Sequence, residues 1–220
     1  MKTNRNTTLR LLRILLHTFS LLPILVLVVA YLTNNLTVNP IQAATQRTGD
    51  VAVILLLLSL SCSPLSNLTG FSAFLKFRRP LGLYSFAYAI THMLLFTWVD
   101  FGLEMRYLLP EFLEKRYLWV GLPAFLILLT LALTSFKQSM RALGKNWKRL
   151  HRLVYLALLL VSLHVAWAVK GDLFNLSGDV WKPLAVASTG LILLLLRIPP
   201  VSRFLKNRLS RNINLSQTGT

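Results

Sequence analysis

The sequence predicts an all-α integral membrane protein, a bundle of six transmembrane helices with both termini in the cytosol. Three observations carry that expectation. Hydrophobic residues make up 55% of the chain and charged residues only 14%, with a mean hydropathy of +0.59, which is not the balance of a soluble domain. The apolar residues gather into six stretches near the length of about 20 residues that crosses a hydrocarbon core. The charges fall between those stretches, basic and acidic by turns, which is a pattern of membrane topology.

The stretches are 12–32, 49–63, 80–99, 117–136, 151–169 and 181–198. The first follows Lys2, Arg5, Arg10 and Arg13 and resembles a secretory signal. Its run from Ile14 to Leu32 exceeds the roughly 7–15 residues of a signal core, so it reads as a retained first helix. The second is short for a span and is expected to begin earlier or to tilt. Between them lie turn compositions: Asn/Pro-rich 33–40, Ser/Pro/Gly-containing 61–72, acidic 100–116, basic 137–150 and Gly/Asp/Asn-containing 170–179. No internal repeat and no low-complexity tract is evident, and residues 1–220 read as one transmembrane domain. The single cysteine, Cys62, cannot close an intramolecular disulfide and is expected to pack as a small apolar residue.

Charge fixes the orientation. Of the 24 Lys and Arg, 18 lie in the N-terminus, the 64–79 loop, the 137–152 segment and the tail from Arg197. All seven acidic residues, Asp50, Asp100, Glu104, Glu111, Glu114, Asp172 and Asp179, fall on the other side. The positive-inside rule puts the basic side in the cytosol. The net charge of +17 is thus spent on topology, and membrane lipid rather than nucleic acid is the expected surroundings.

Two residues interrupt the apolar pattern. His92 and His164 each sit thirteen residues beyond a basic residue, Arg79 or His151, that opens the stretch. Both therefore lie about 20 Å along their helices from the cytosolic end, in the outer half of the membrane. An ionisable ring in hydrocarbon is costly and marks a functional site facing the bundle interior. One such histidine is explained equally by a hydrogen bond across the bundle. Two at matched depth favour joint ligation of a planar cofactor, and haem iron takes imidazole as an axial ligand. Gly82, Ser85 and Ala89 near His92, and Ala157, Val161 and Ala168 near His164, leave room for a close neighbour. His151 stands in a basic interfacial run, and His17 has no partner at its depth except His151.

The segments Arg78-Arg79-Pro80-Leu81-Gly82-Leu83 through Thr91-His92, and Trp147-Lys148-Arg149-Leu150-His151-Arg152 through His164, carry a resemblance. They resemble the ferric-reductase-like transmembrane superfamily over roughly residues 45–170. Within it the chain is similar to the haem-binding membrane subunits of bacterial periplasmic protein-methionine-sulfoxide reductase systems. In the wider superfamily, two histidines on each of two helices hold two stacked haems. This chain departs from that pattern, because Arg78 stands fourteen residues before His92. Fourteen residues are about 3.9 helical turns and would put Arg78 on the His92 face; thirteen are about 3.6, so His151 and His164 align poorly. The outer His92/His164 site looks complete, and an inner site would have to use His151 with an unusual partner.

The resemblance implies a haem b electron-transfer subunit of the bacterial inner membrane. It implies membrane quinol as donor, FMN as a further cofactor, and a periplasmic molybdopterin-containing catalytic subunit as heterodimer partner, on which substrate chemistry occurs. Only 23 residues follow Arg197 and no Gly-rich phosphate loop is present, so the electron source is expected to be external. An FMN phosphate would need cations, for which Arg78, Arg79, Lys148, Arg149 and Arg152 are available. The 100–116 segment is a candidate docking surface or an interfacial helix. Two rivals remain at this level: a haem b subunit of a hydrogenase or formate dehydrogenase, and a small transporter with proton-relaying histidines.

Overall fold

The computed structural model describes residues 2–169, 171–172, 177–198 and 200–201. The tail cations beyond Arg197, and half of the turn expected at 170–179, lie outside them. The described elements are α1 (Lys2–Leu32), α2 (Pro40–Thr69), α3 (Phe74–Leu94) with a π-helical extension (Leu95–Asp100), α4 (Met105–Glu114), α5 (Arg116–Leu133), α6 (Lys137–Leu143), α7 (Lys145–Leu150), α8 (Leu153–Ala168) and α9 (Trp181–Leu195). A two-residue antiparallel pair, Gly171–Asp172 with Ser177–Gly178, precedes α9. The protein is an all-α membrane protein. Among the described residues five helices are long and apolar enough to cross a bilayer, and α9 is a shorter apolar helix.

The second span begins earlier than its apolar stretch, at Pro40, as its shortness predicts, and it also runs on past 63 to Thr69. Asn39 caps its start by accepting the Gln42 N–H at 3.1 Å, and Pro40 fills the first turn, where no donor is needed. Polar residues of the extension return their hydroxyls to the helix, Thr45 to Ile41 O at 2.9 Å and Thr48 to Ala44 O at 2.8 Å. Gly70 ends the helix at φ 72°, a left-handed cap that glycine adopts without penalty. The turn expected at 61–72 is thus mostly helix.

Helices α2 and α3 form the tightest pair. Ser59 Oγ donates to Arg78 O and Ser85 Oγ to Ala52 O, each at 2.7 Å, and Ser85 is wholly buried. Small hydroxyl residues allow such close approach in a membrane bundle. One apolar cluster joins α2 to α3 through Ala52, Leu55, Cys62, Phe77, Leu81 and Tyr88. A second, with Leu56, Leu60, Leu128, Ala157, Leu158 and Leu193, ties α2 to α5, α8 and α9. Cys62 is buried, in keeping with a packing role.

Two prolines leave gaps that distant side chains fill. Pro23 lies within α1, and one residue on, the Tyr88 hydroxyl accepts from Ile24 N at 3.0 Å and donates to Ser20 O at 2.8 Å. That hydroxyl is inserted into the backbone ladder and pins α1 to α3. Pro64 lacks the N–H that Leu60 O would accept in a regular helix, and Arg197 Nη2 donates to Leu60 O instead, at 2.7 Å. The acidic 100–116 segment contains a helix, α4, with Met105, Leu108, Leu109, Phe112 and Leu113 along one side. The 151–169 span starts at Leu153, after a turn at His151–Arg152 that separates α7 from α8.

Tyr88→Phe removes the bridge while keeping the ring. It should destabilise the protein by about 1–3 kcal/mol, the cost of buried polar groups left unpaired. The check is a lowered thermal midpoint for the purified protein in detergent. An unchanged midpoint would mean the ladder simply closes.

Candidate functional site: two imidazoles facing across the bundle

The structure brings His92 of α3 and His164 of α8 together, with ring centroids 6.1 Å apart and planes at 88°. Each ring is held from behind by a backbone carbonyl of the neighbouring helix. His92 Nδ1 lies 2.8 Å from Thr45 O on α2, and His164 Nδ1 lies 2.8 Å from Tyr117 O on α5. A carbonyl oxygen only accepts, so each Nδ1 carries the proton and donates. The tautomer is thereby fixed and the lone pair left on Nε2.

The two halves repeat one another. Histidine and carbonyl are 47 residues apart in both cases. A glycine stands four residues after each carbonyl: a Cβ on Gly49 would lie 2.9 Å from His92 Nδ1, and one on Gly121 2.5 Å from His164 Nδ1. An offset of 72 residues relates His92 to His164, Thr45 to Tyr117 and Gly49 to Gly121. It also relates Ala52 to Ala124, Leu56 to Leu128 and Ser85 to Ala157, all buried. An internal repeat is therefore present where the sequence shows none, because it survives in contacts and residue size more than in identity.

The pair fits a haem iron. Two imidazoles sharing one metal through bonds of about 2 Å have centroids roughly 6 Å apart, close to the observed 6.1 Å. Among the described residues no three His, Cys, Asp or Glu side chains gather to hold a bare metal ion. Haem needs no such cluster, since its macrocycle supplies four ligands and the protein two.

The other predicted residues lie elsewhere. His151 sits in the turn before α8, its Nε2 3.3 Å from Thr134 Oγ1 and its ring 4.1 Å from that of Trp147. Trp147 Nε1 donates to Thr134 O at 2.9 Å, closing a small local network. No second imidazole joins it among the described residues. The turn also interrupts the helix over which thirteen residues would be counted as turns, so periodicity does not govern its relation to His164. Arg78 is half-buried within electrostatic reach of His151 and Arg197. Arg79, Lys148, Arg149 and Arg152 are exposed. His17 pairs with Tyr84, Nδ1 to hydroxyl at 2.9 Å, and not with His151.

Two further contacts, one beside Gly49 and one at the basic end, were not evident in the sequence. Asp50, the neighbour of Gly49, pairs with Lys182 of α9 at 2.8 Å, both half-exposed. Arg197 lies over the Tyr155 ring, 4.9 Å from its centroid, and bonds the Tyr155 hydroxyl. Each cation follows or precedes an apolar run and reads in sequence as an ordinary interfacial anchor. The acids of the 100–116 segment are partly paired, Glu104 with Arg106 at 2.6 Å and Glu111 with Lys115.

Comparison with known proteins gives the family. The model of the ferric reductase like transmembrane component family matches residues 48–162, from the residue before Gly49 to two before His164. The chain is 38% identical over 162 residues to the protein-methionine-sulfoxide reductase heme-binding subunit MsrQ of Xanthomonas campestris pv. campestris (strain B100), covering 69% of this chain and 74% of that one. This multi-pass inner-membrane chain belongs to the ferric reductase like transmembrane family and, within it, to the group of protein-methionine-sulfoxide reductase heme-binding subunits.

Proposed function

We propose that the chain is a haem b electron-transfer subunit, with His92 and His164 as the axial ligands of one haem. The observation that carries this reading is the facing imidazole pair, each ring fixed through Nδ1 by a carbonyl of its own helix pair. The name of the Xanthomonas relative supports haem as the group held. Haem, when bound, supplies one-electron iron chemistry. The chain's own part is to hold the iron, fix the ring tautomers and keep the site dry.

The proposed topology is six spans, with α9 as the sixth and both termini cytosolic. Lys and Arg on α6 and α7 and the Arg78-Arg79 pair support that orientation, in which the His92/His164 end faces the periplasm. The proposed donor is the membrane quinol pool. The acceptor is a periplasmic molybdopterin-containing catalytic subunit that repairs methionine sulfoxide, bound as a heterodimer. The relative is named as the heme-binding subunit of a protein-methionine-sulfoxide reductase, which supports a catalytic partner. FMN stands as a further cofactor on family resemblance, with its phosphate at the basic end among Arg78, Arg79, Lys148, Arg149 and Arg152. His151 is the proposed ligand or donor-side group there.

A reduced-minus-oxidised spectrum of the purified protein, with haem stoichiometry, tests the core of this reading. His92→Ala and His164→Ala should each abolish the low-spin b-type spectrum of this haem, because one imidazole cannot keep iron six-coordinate. His17→Ala should leave it intact. A wild-type spectrum in both ligand variants would end the assignment.

His151→Ala is expected to alter a second haem signal, or to slow reduction by the quinol donor, with the His92/His164 haem still assembled. Stopped-flow reduction and haem content measure both. Loss of all haem would instead make His151 a support of the outer site.

A further inference from the structure

The two glycines facing the histidines have a role that packing alone does not explain. In a helix the carbonyl of residue i and the Cβ of residue i+4 share a face. Thr45 O and Gly49 stand in that relation, as do Tyr117 O and Gly121. A carbonyl has two lone pairs. One serves the helix ladder, and at both sites the second faces a ring that fills the space a Cβ of residue i+4 would take. A Cβ would stand 2.9 Å from His92 Nδ1 at position 49 and 2.5 Å from His164 Nδ1 at position 121, within the space each ring occupies. Both glycines have ordinary helical backbones, so no turn requires them. The arrangement occurs twice, at an offset of 72 residues, which makes chance placement of either glycine a poor explanation.

We propose that Gly49 and Gly121 are positioning residues, which admit each imidazole to the second lone pair of the carbonyl four residues earlier and so set the planes of the two axial ligands near perpendicular. This rests on the assignment of His92 and His164 as ligands. The observed 88° between the rings is the geometry they enforce. Gly190 provides the contrast. At Gly190 a Cβ would meet only Leu158, its Cδ2 at 3.4 Å, whereas Gly82 stands in the same relation to a smaller donor, Ser59 Oγ, which bonds Arg78 O four residues earlier and would lie 3.3 Å from a Cβ.

The test uses the full-length protein, purified with its haem, and the variants Gly49→Ala, Gly121→Ala and Gly190→Ala. Haem content and the ferric low-spin electron paramagnetic resonance signal are read together. The anisotropy of that signal follows the angle between the axial imidazole planes, which a purely structural role would not move. The unaltered protein should give a strongly anisotropic signal of near-perpendicular planes. Gly121→Ala, with the closer contact, should retain haem about tenfold less well, in line with overpacking of a filled site. Gly49→Ala should keep more haem but shift its signal towards the rhombic form, while Gly190→Ala keeps both content and signal.

A rhombic signal in the unaltered protein would overturn the proposal, as would glycine variants indistinguishable from Gly190→Ala. If Gly121→Ala does not accumulate, Gly49→Ala and the unaltered protein decide. His92→Ala and His164→Ala run beside them. Wild-type spectra in those two would remove the ligand assignment itself, whereas their loss of haem beside indifferent glycine variants would remove only the role given to the glycines.

Discussion

The hydrogen bond from an imidazole N–H to a carbonyl on the next helix is the constraint on which this bundle is built. A ring nitrogen bearing a proton inside hydrocarbon must find an acceptor, or several kcal/mol are lost. Here the acceptor is the backbone of α2 for His92 and of α5 for His164. That requirement explains why α2 continues beyond its apolar stretch. Thr45 lies in the polar beginning of the helix, and a helix starting at residue 49 would have no carbonyl at that depth. The start of α5 at Arg116 likewise puts the Tyr117 carbonyl within its first turn.

The same economy of backbone groups governs the rest of the scaffold. Prolines inside membrane helices free acceptors that must be met elsewhere. Tyr88 enters the ladder beside Pro23, and Arg197 meets the carbonyl that Pro64 leaves open. Both are long-range contacts, linking α1 to α3 and the end of α9 to α2. The interruptions in the helices are therefore also the points at which the helices are fastened together. Ser59 and Ser85 add to this by spending their hydroxyls on backbone across the α2–α3 contact.

How much of this was legible depended on whether it left a mark in hydropathy. The apolar spans did, and so did the two histidines, whose equal distance from basic starts led to the pair the structure shows. The polar head of α2 did not, because Gln42, Thr45, Arg47 and Asp50 look like a loop until their caps and hydroxyl bonds are seen. Gly49 and Gly121 were passed over, since a glycine's meaning here lies in what its missing Cβ would touch. The 72-residue repeat was hidden for a related reason. It preserves two histidines, two glycines and small buried positions, while most other equivalent residues differ.

That repeat also locates where the halves part company. Its register sets Arg79, not Arg78, at the position equivalent to His151. In the first half α3 runs unbroken through this point and past Pro80. In the second the chain turns at His151–Arg152 between α7 and α8, and His151 is packed against Trp147 and bonded to Thr134. The acidic end thus holds both copies of carbonyl, glycine and histidine, whereas the basic end has an arginine at one equivalent position and a histidine folded into a local network at the other. Arg78 and Arg197 lie near that network, so positive charge surrounds it. The interior imidazole pair sits in a symmetric cradle, each ring held through Nδ1 by a carbonyl of the neighbouring helix. No such symmetry is kept at the basic end, where the exposed cations Arg79, Lys148, Arg149 and Arg152 accompany a single imidazole.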